Sequence, residues 1–408
     1  MNLDASQIAA LEVCAQPGDH VITGSAGTGK TTLIKAIAEA HEGRCLLMCP
    51  TGKAAARLRQ ATGISACTIH SALLWDGTAF RRQGKINCTV IVDETSMVDA
   101  WLMAKLISFE PPKLILVGDA SQLPPVGKGQ PFHDLCALRP DIVSTLTICH
   151  RAKGAVHMAA MAVRDGRAPE ARLESGGESW SINETGNATP TLKKLEKWIV
   201  AGAYDPQRDI IISPQYGEKN ADATPDFFAT NEPDGGIHSI NRMVKGLLNP
   251  SKDGEKFSVG DRVICNKNFN ADDLYNGDVG TVRAVDIKGN PHVLLDRDMA
   301  ASPLDLEDDE VKARVLKREQ TLQLAHAYAL SVHKVQGSQA RHVFFVVFRR
   351  HQRMLSRSLI YTAITRAREG CVVMGETSAF YKGLNVEQHR RTVFQHLSEK
   401  AKQKGNAV

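Results

Sequence analysis

The first third of the chain alternates short apolar runs with stripes of apolar residues at helical spacing. His20-Val21-Ile22-Thr23, Cys45–Cys49, Thr89–Val92 and Lys113–Val117 are four or five residues long and dominated by aliphatic side chains. That is the pattern of strands buried on both faces. Between them, Thr31 to Glu39 places Leu33, Ile34, Ile37 and Ala38 on one helical face, and Ala54 to Leu58 begins a further helix. Leu3 to Leu11 opens the chain as an amphipathic helix behind an acidic or hydroxyl cap. Strands and helices in this order build a parallel sheet with crossovers, whose ligands gather at the strand C-terminal ends. Polar residues stand at each such end: Gly24 to Thr31, Pro50-Thr51-Gly52-Lys53, Asp93-Glu94 and Gly118-Asp119.

Elsewhere the texture changes. Leu73-Leu74-Trp75, Asp76-Gly77 and Phe80-Arg81-Arg82 predict a small hairpin inserted between Ser71 and Cys88. Past His150-Arg151 the pattern weakens, and Arg164 to Asn187, polar and glycine-rich, is expected to be loop. Asp209 to Ser213 resumes a buried strand, and Asn220 to Gly236 reads as a flexible insertion. Short strands around the turn signal Asn276-Gly277 suggest a small β-barrel from Phe257 to about Leu316. Leu322–Leu330, His342–Phe348 and Cys371–Met374 then restore α/β character. A helix from Ser356 to Arg368 is expected to turn Leu359, Ile360, Ala363, Ile364 and Ala367 inward, with Arg366 flanking that stripe. The tail from Lys400 is polar, basic and expected to fray.

Composition narrows this picture only a little. A chain of 408 residues holds two to four domains, and a net charge of +5 permits a polyanionic partner without requiring one. Nine cysteines lack paired zinc spacing, so Cys45 and Cys49 read as buried free thiols. The odd count, the absence of a secretory pattern and the lack of a bilayer-length apolar run point to a reducing cytoplasm.

Chemistry concentrates in Gly24-Ser25-Ala26-Gly27-Thr28-Gly29-Lys30-Thr31, which fits the phosphate-binding loop at every fixed position between a strand and a helix. Backbone N–H groups and the positive end of a helix dipole there favour a triphosphate. Lys30 can reach the β- and γ-phosphates, and Thr31 can ligate Mg²⁺ together with Asp93 at the end of its strand. Glu94 is placed to orient or deprotonate a water, and Gln122 to sense the γ-phosphate. Hydrolysis also needs positive charge opposite the developing negative charge, which makes Arg151 and Arg366 candidates.

The order of motifs carries a resemblance. Gly24–Thr31, Pro50-Thr51-Gly52-Lys53-Ala54-Ala55, Thr68-Ile69-His70, Val92-Asp93-Glu94-Thr95-Ser96-Met97 and Gly118-Asp119-Ala120-Ser121-Gln122-Leu123-Pro124 follow in sequence. His150-Arg151, Ala329 to Ser338 and Tyr361 to Arg368 complete the series. The chain resembles the RecD-like and Dda-like superfamily 1B DNA helicases over nearly its whole length. The resemblance implies an α/β fold of two RecA-like P-loop domains with parallel sheets and ATP in the cleft between them. Their boundaries are expected at 1–146 (with a pin hairpin at 72–88), 147–256 with 317–408, and an SH3-like insertion at 257–316.

The resemblance further implies an ATP- and Mg²⁺-dependent helicase moving 5′→3′ on single-stranded DNA in replication, recombination or repair. Junctions of single-stranded and duplex DNA are implied substrates, single-strand-binding or replication proteins implied partners, and a monomer suffices. It makes Arg151 and Arg366 arginine fingers, Gln7 an adenine reader, and Gln339 a contact to the nucleotide where these families often carry Glu. With Gly24, Ser25, Ala26, Gly27, Thr28, Gly29, Lys30, Thr31 and Thr32, these form the cofactor set. Pro50, Thr51, Lys53, Thr68, His70, Phe80, Ser331, His333 and Lys334 are placed on DNA, small donors and cations suited to phosphates and sugars. On the residues alone, His70 and His333 read equally as satisfied core histidines, and Phe80 as part of a small local core. The chain starts almost at the Gln7 helix, which is closer to the compact Dda-like phage enzymes. Three alternatives differ in class: an RNA-directed or non-unwinding translocase, an ATP-switched binding module, and a small-molecule P-loop kinase. The last is disfavoured by the motifs of the second half.

Overall fold

The computed structural model describes residues 3–41, 44–150, 154–217, 234–251, 255–269, 272–301, 313–388, 390, 392–396 and 398–399. Arg151, nearly all of the 220–236 insertion and the tail from Lys400 lie outside the described residues. The chain divides into two units, one formed by 1–152 with 388–408 and the other by 153–387.

In the first unit the apolar runs pair into one parallel sheet. Its strands are β1 (His20–Gly24), β2 (Cys45–Cys49), β3 (Ala66–Thr68), β4 (Thr89–Val92), β5 (Leu114–Gly118) and β6 (Val143–Leu146), in the order β3-β2-β4-β5-β1-β6. Helices Ala5–Ala15, Lys30–Ala40 and Gly52–Thr62 bury Ala10, Cys14, Leu33, Ile34, Ile37, Ala55 and Leu58 against Ile22, Leu47, Ile91, Ile115 and Val117 of the sheet. A second cluster joins Val21, Val90, Val92 and Leu116 to Leu102, Met103, Leu106 and Phe132. Burial on both sides is why these strands read as continuous apolar runs. The inserted segment does fold back on itself, through an antiparallel bridge between Trp75 and Phe80.

The second unit contains two sheets. Its strands are β7 (Arg172–Ser175), β8 (Glu178–Glu184), β9 (Ile210–Ile212), β10 (Arg262–Cys265), β11 (Val279–Val285), β12 (Pro291–Leu295), β13 (Arg314–Val315), β14 (Leu324–His326), β15 (Ala329–Leu330), β16 (Ala340–Val347) and β17 (Ala367–Gly375). One sheet runs β15-β9-β16-β17-β8-β7 and is parallel except at β7 and β8. The other is five-stranded and antiparallel, β13-β12-β11-β10-β14, around a core of Phe257, Val263, Val282, Val293, Leu295, Leu316 and Leu324. A buried ion pair ties it to the Ile237–Leu248 helix: Lys245 Nζ lies 2.7 Å from both Asp261 oxygens. Asp261 also accepts from Asn249, Ser258 and Tyr328, and Asn241 hydrogen-bonds both backbone groups of Ala329.

Four expectations are corrected. Residues 172–184 form a hairpin rather than loop, because Gly176 and Gly177 both take positive φ and Trp180 is buried in the sheet. The late helix stops at Ile364, and Arg366 closes the turn into β17, where Ala367 pairs with Ala340 of β16. The small sheet reaches past Leu316, since Leu324–His326 pairs with β10. Residues from Gln388 group with the first unit, where Arg390 donates to the carbonyls of Pro125 (2.7 Å) and Gly127 (3.1 Å). No helix among the described residues is long and apolar enough to cross a membrane.

Candidate functional site

The loop after β1 is held from both sides. Asp4 caps the first helix by accepting from the N–H groups of Ser6 and Gln7, and Gln7 Oε1 accepts in return from the Asp4 N–H at 2.9 Å, a capping box. The buried Gln7 amide then donates to the carbonyls of Thr28 (3.2 Å) and Gly29 (3.3 Å). Across the loop, the His150 N–H donates to the Gly27 carbonyl and Cys149 Sγ to that of Ala26. Gly29 sits at φ 75°, and a Cβ there would stand 2.2 Å from Gln7 Nε2, so only glycine fits. No side chain caps the helix that begins at Lys30, which leaves its first turn, with Thr31 and Thr32, to present backbone donors. Lys30 Nζ folds back onto the carbonyls of Gly24 (2.7 Å) and Ser25 (3.0 Å), and Thr28 Oγ1 donates to Ser25.

In the sheet, β5 lies between β1 and β4, so the ends of three neighbouring strands carry the loop, the acidic pair and the Gly118-Asp119 turn. Asp93 accepts from the Glu94 N–H at 2.8 Å. Burial and the adjacent Glu94 carboxylate push the Asp93 carboxyl above the usual carboxylate range, against the opposing pull of that N–H and of Lys30. Glu94 itself is held at φ 53°, a strained backbone for a residue with a side chain. Two crowded carboxylates facing a lysine suit a bound cation. Among the described residues, however, no group of three or more His, Cys, Asp or Glu is arranged to hold a metal alone. Gln122 is buried, its Nε2 lies 3.4 Å from Asp119, and its Oε1 has no hydrogen-bond partner among the described residues. A buried acceptor left open at this edge fits a ligand or its attendant water.

The Pro50–Lys53 and Thr68–His70 segments also come together, because Cys49 and Thr68 end paired positions of β2 and β3. Thr51 and Thr68 each cap a helix, accepting from the N–H groups of Ala54 and Ser71. His70 packs against Trp75 and Phe80, and burial lowers its basicity. In the second unit, the buried Arg366 donates to the carbonyls of Thr362 and Ser338 and to Thr365 Oγ1. Its own carbonyl accepts from the Ala340 N–H, which brings Gln339 beside it. Ser331 Oγ accepts from the Lys334 N–H, Lys334 Nζ donates to Asn276, and burial pulls this ammonium below the usual lysine range. His333 lies between them, partly buried. The acidic cap expected from the sequence is Asp4, and its spacing to Gln7 makes the capping box; His150 is named in the sequence only within its motif, and Trp101 is absent from the sequence reading.

Comparisons with known proteins place the chain among helicase relatives. The family model for an AAA domain matches residues 2–185, and that for a UvrD-like helicase C-terminal domain matches 326–374. The chain is 32% identical over 391 residues to the ATP-dependent RecD2 DNA helicase of Deinococcus radiodurans, covering 93% of this chain and 50% of that protein. It is 32% identical over 433 residues to the RecBCD enzyme subunit RecD of Mycolicibacterium smegmatis, covering 95% and 73%. The chain thus spans half the length of the first relative and about three quarters of the second. Among solved structures, Pif1 helicase from Bacteroides, crystallised with ADP-AlF3 and ssDNA, shares the fold with a TM-score of 0.52 at 19% identity, over 100% of this chain and 99% of that one.

Proposed function

Because the chain belongs to the RecD family of ATP-dependent DNA helicases, we propose that it hydrolyses ATP to move 5′→3′ along single-stranded DNA and part duplex ahead of it. The observation that carries this reading is the convergence of Lys30, the Asp93-Glu94 pair and the open acceptor of Gln122 at the ends of adjacent strands. A bound nucleotide with Mg²⁺ would supply the transferable phosphoryl group, and Thr31 and Asp93 would hold the metal. Lys30 exchanges two carbonyls for phosphate oxygens, Glu94 orients and takes the proton of a water, and Gln122 completes the polar lining. Phosphoryl transfer also demands positive charge, for which Arg366 and Arg151 are the proposed sources.

Pro50, Thr51, Lys53, Thr68, His70, Ser331, His333 and Lys334 are proposed to carry sequence-independent DNA contacts that weaken with salt. The proposed setting is cytoplasmic DNA replication, recombination or repair, with a monomer as the working form. The test is unwinding of paired duplexes bearing either a 5′ or a 3′ single-stranded tail, with ATPase stimulation by DNA and RNA measured in parallel. Opening only of 5′-tailed DNA, lost together with ATP hydrolysis in Lys30→Ala, is expected. Full DNA-stimulated hydrolysis by Lys30→Ala would overturn the site assignment. A preference for 3′ tails would overturn the polarity, and stimulation by RNA alone the substrate.

A further inference from the structure

The hairpin in the first unit offers a different surface from the one its sequence suggests. Phe80 is an inner ring: its centroid lies 4.7 Å from Trp75, 5.3 Å from Trp101 and 5.8 Å from His70. Trp75 and Trp101 meet edge to face at 5.7 Å and 86°. The outer ring is Trp101, on the Ala100–Ile107 helix, with 49% of its surface open to solvent. Its plane is tilted only 33° from that of Phe80, so the indole continues a loose stack whose inner side is Phe80. Leu74 in the same hairpin is 57% exposed and held at φ 55°, a strained backbone for a side chain that no core rewards. From residue 71 to 88 Asp76 is the one acid, against Arg81, Arg82 and Lys85; Arg81 pairs with Asp76, Lys85 with Glu110, and Arg82 donates to the Ala72 carbonyl.

We propose that Trp101 is a nucleobase-stacking site, in which an unpaired base of single-stranded nucleic acid covers the open indole while Phe80, Trp75 and His70 hold that ring rigid. A flat aromatic face backed by other rings loses little conformational freedom on stacking and accepts any base. The Arg81–Asp76 and Lys85–Glu110 pairs are exposed and worth little in water, so Arg81 and Lys85 can exchange a carboxylate for the phosphates on either side of a stacked base, which favours nucleic acid over an apolar protein surface. His70 links the cluster to the Thr68–His70 segment, so the proposal rests on the nucleic-acid reading above.

The experiment compares the affinity of wild type, Trp101→Ala and Trp101→Phe for a single-stranded oligonucleotide and for the same strand made abasic. Trp101→Ala is expected to bind the intact strand about five- to a hundredfold more weakly, with little change on the abasic strand. Trp101→Phe, which keeps an aromatic face and the packing against Phe80, retains most of the affinity. Equal loss on both strands assigns Trp101 to phosphate binding or folding and overturns the proposal, as does unchanged binding by Trp101→Ala. A wild type that binds neither strand overturns the nucleic-acid reading itself.

Discussion

Replacing Asp261 with Ala removes the acceptor at the centre of the second unit's polar core. Lys245 is 7% and Asp261 0% exposed, and their two 2.7 Å contacts are joined by hydrogen bonds from Asn249 (2.8 Å), Ser258 N–H (2.8 Å) and Tyr328 (2.9 Å). Deleting one member of a buried pair leaves the other charge unpaired, at about 3–5 kcal/mol. In a unit the size of residues 153–387, each kcal/mol lowers the midpoint by about 2–4 °C, so the second unit should melt about 6–20 °C earlier. Burial alone would raise the Asp261 carboxyl, but the His326 ring 3.4 Å away and hydrogen bonds from Lys245, Ser258 and Tyr328 outweigh it and hold it well below the usual carboxylate range. A depressed folded pKa contributes stability that is complete above the unfolded value of about 3.9 and is lost as pH falls below it. Wild type should therefore lose stability on acidification through that window, and Asp261→Ala should show a flatter profile. Calorimetry at neutral and acid pH measures both. The double change Lys245→Met with Asp261→Leu should recover part of the midpoint, because no charge is left stranded while Asn249, Ser258 and Tyr328 still lose their acceptor. A drop of under about 3 °C in Asp261→Ala would refute the reasoning.

Two further outcomes test the first unit. Gln7→Ala strips two carbonyls of the phosphate loop of their donor, so the KM for ATP and for GTP should rise together, by roughly tenfold; a rise for ATP alone would make Gln7 a reader of the base rather than a brace for the loop. Arg390→Ala releases the 125–129 loop a few residues past Gln122, so kcat for ATP hydrolysis should fall about fivefold or more with KM little changed. An unaltered kcat would show that this loop needs no such support.

What the sequence reveals depends on how local each cause is. Strands covered on both faces cannot hide, which is why the four apolar runs of the first sheet were legible. β8 escaped because Glu178-Ser179-Trp180-Ser181-Ile182-Asn183-Glu184 reads as polar until Trp180 is seen to be buried. The helix ending at Ile364 was drawn too long because Ala367 fits an apolar helical stripe as well as a strand, and pairing with β16 decides between them. The phosphate-loop pattern and the acidic pair are plain from spacing alone. Their supports are not: Gln7 finds the loop across 21 and 22 residues, and Lys245 finds Asp261 across 16. The sequence draws attention to Phe80 as a base-stacking aromatic, but only packing shows Phe80 set against Trp101 and the Trp101 ring half-exposed.

The return of the chain to the first unit after residue 387 sets a schedule during synthesis. All six strands of the first sheet lie before residue 147, so that sheet and its phosphate loop can assemble while the rest is still being made. The carbonyls of Pro125, Gly127 and Gly129 must wait for Arg390. At about 5–20 residues per second, the intervening chain takes roughly 12–50 seconds to emerge. The stretch beyond Gln122 is therefore among the last parts of the first unit to be fixed in place, and a ribosome-bound chain halted before Arg390 should carry a formed sheet with this loop unrestrained.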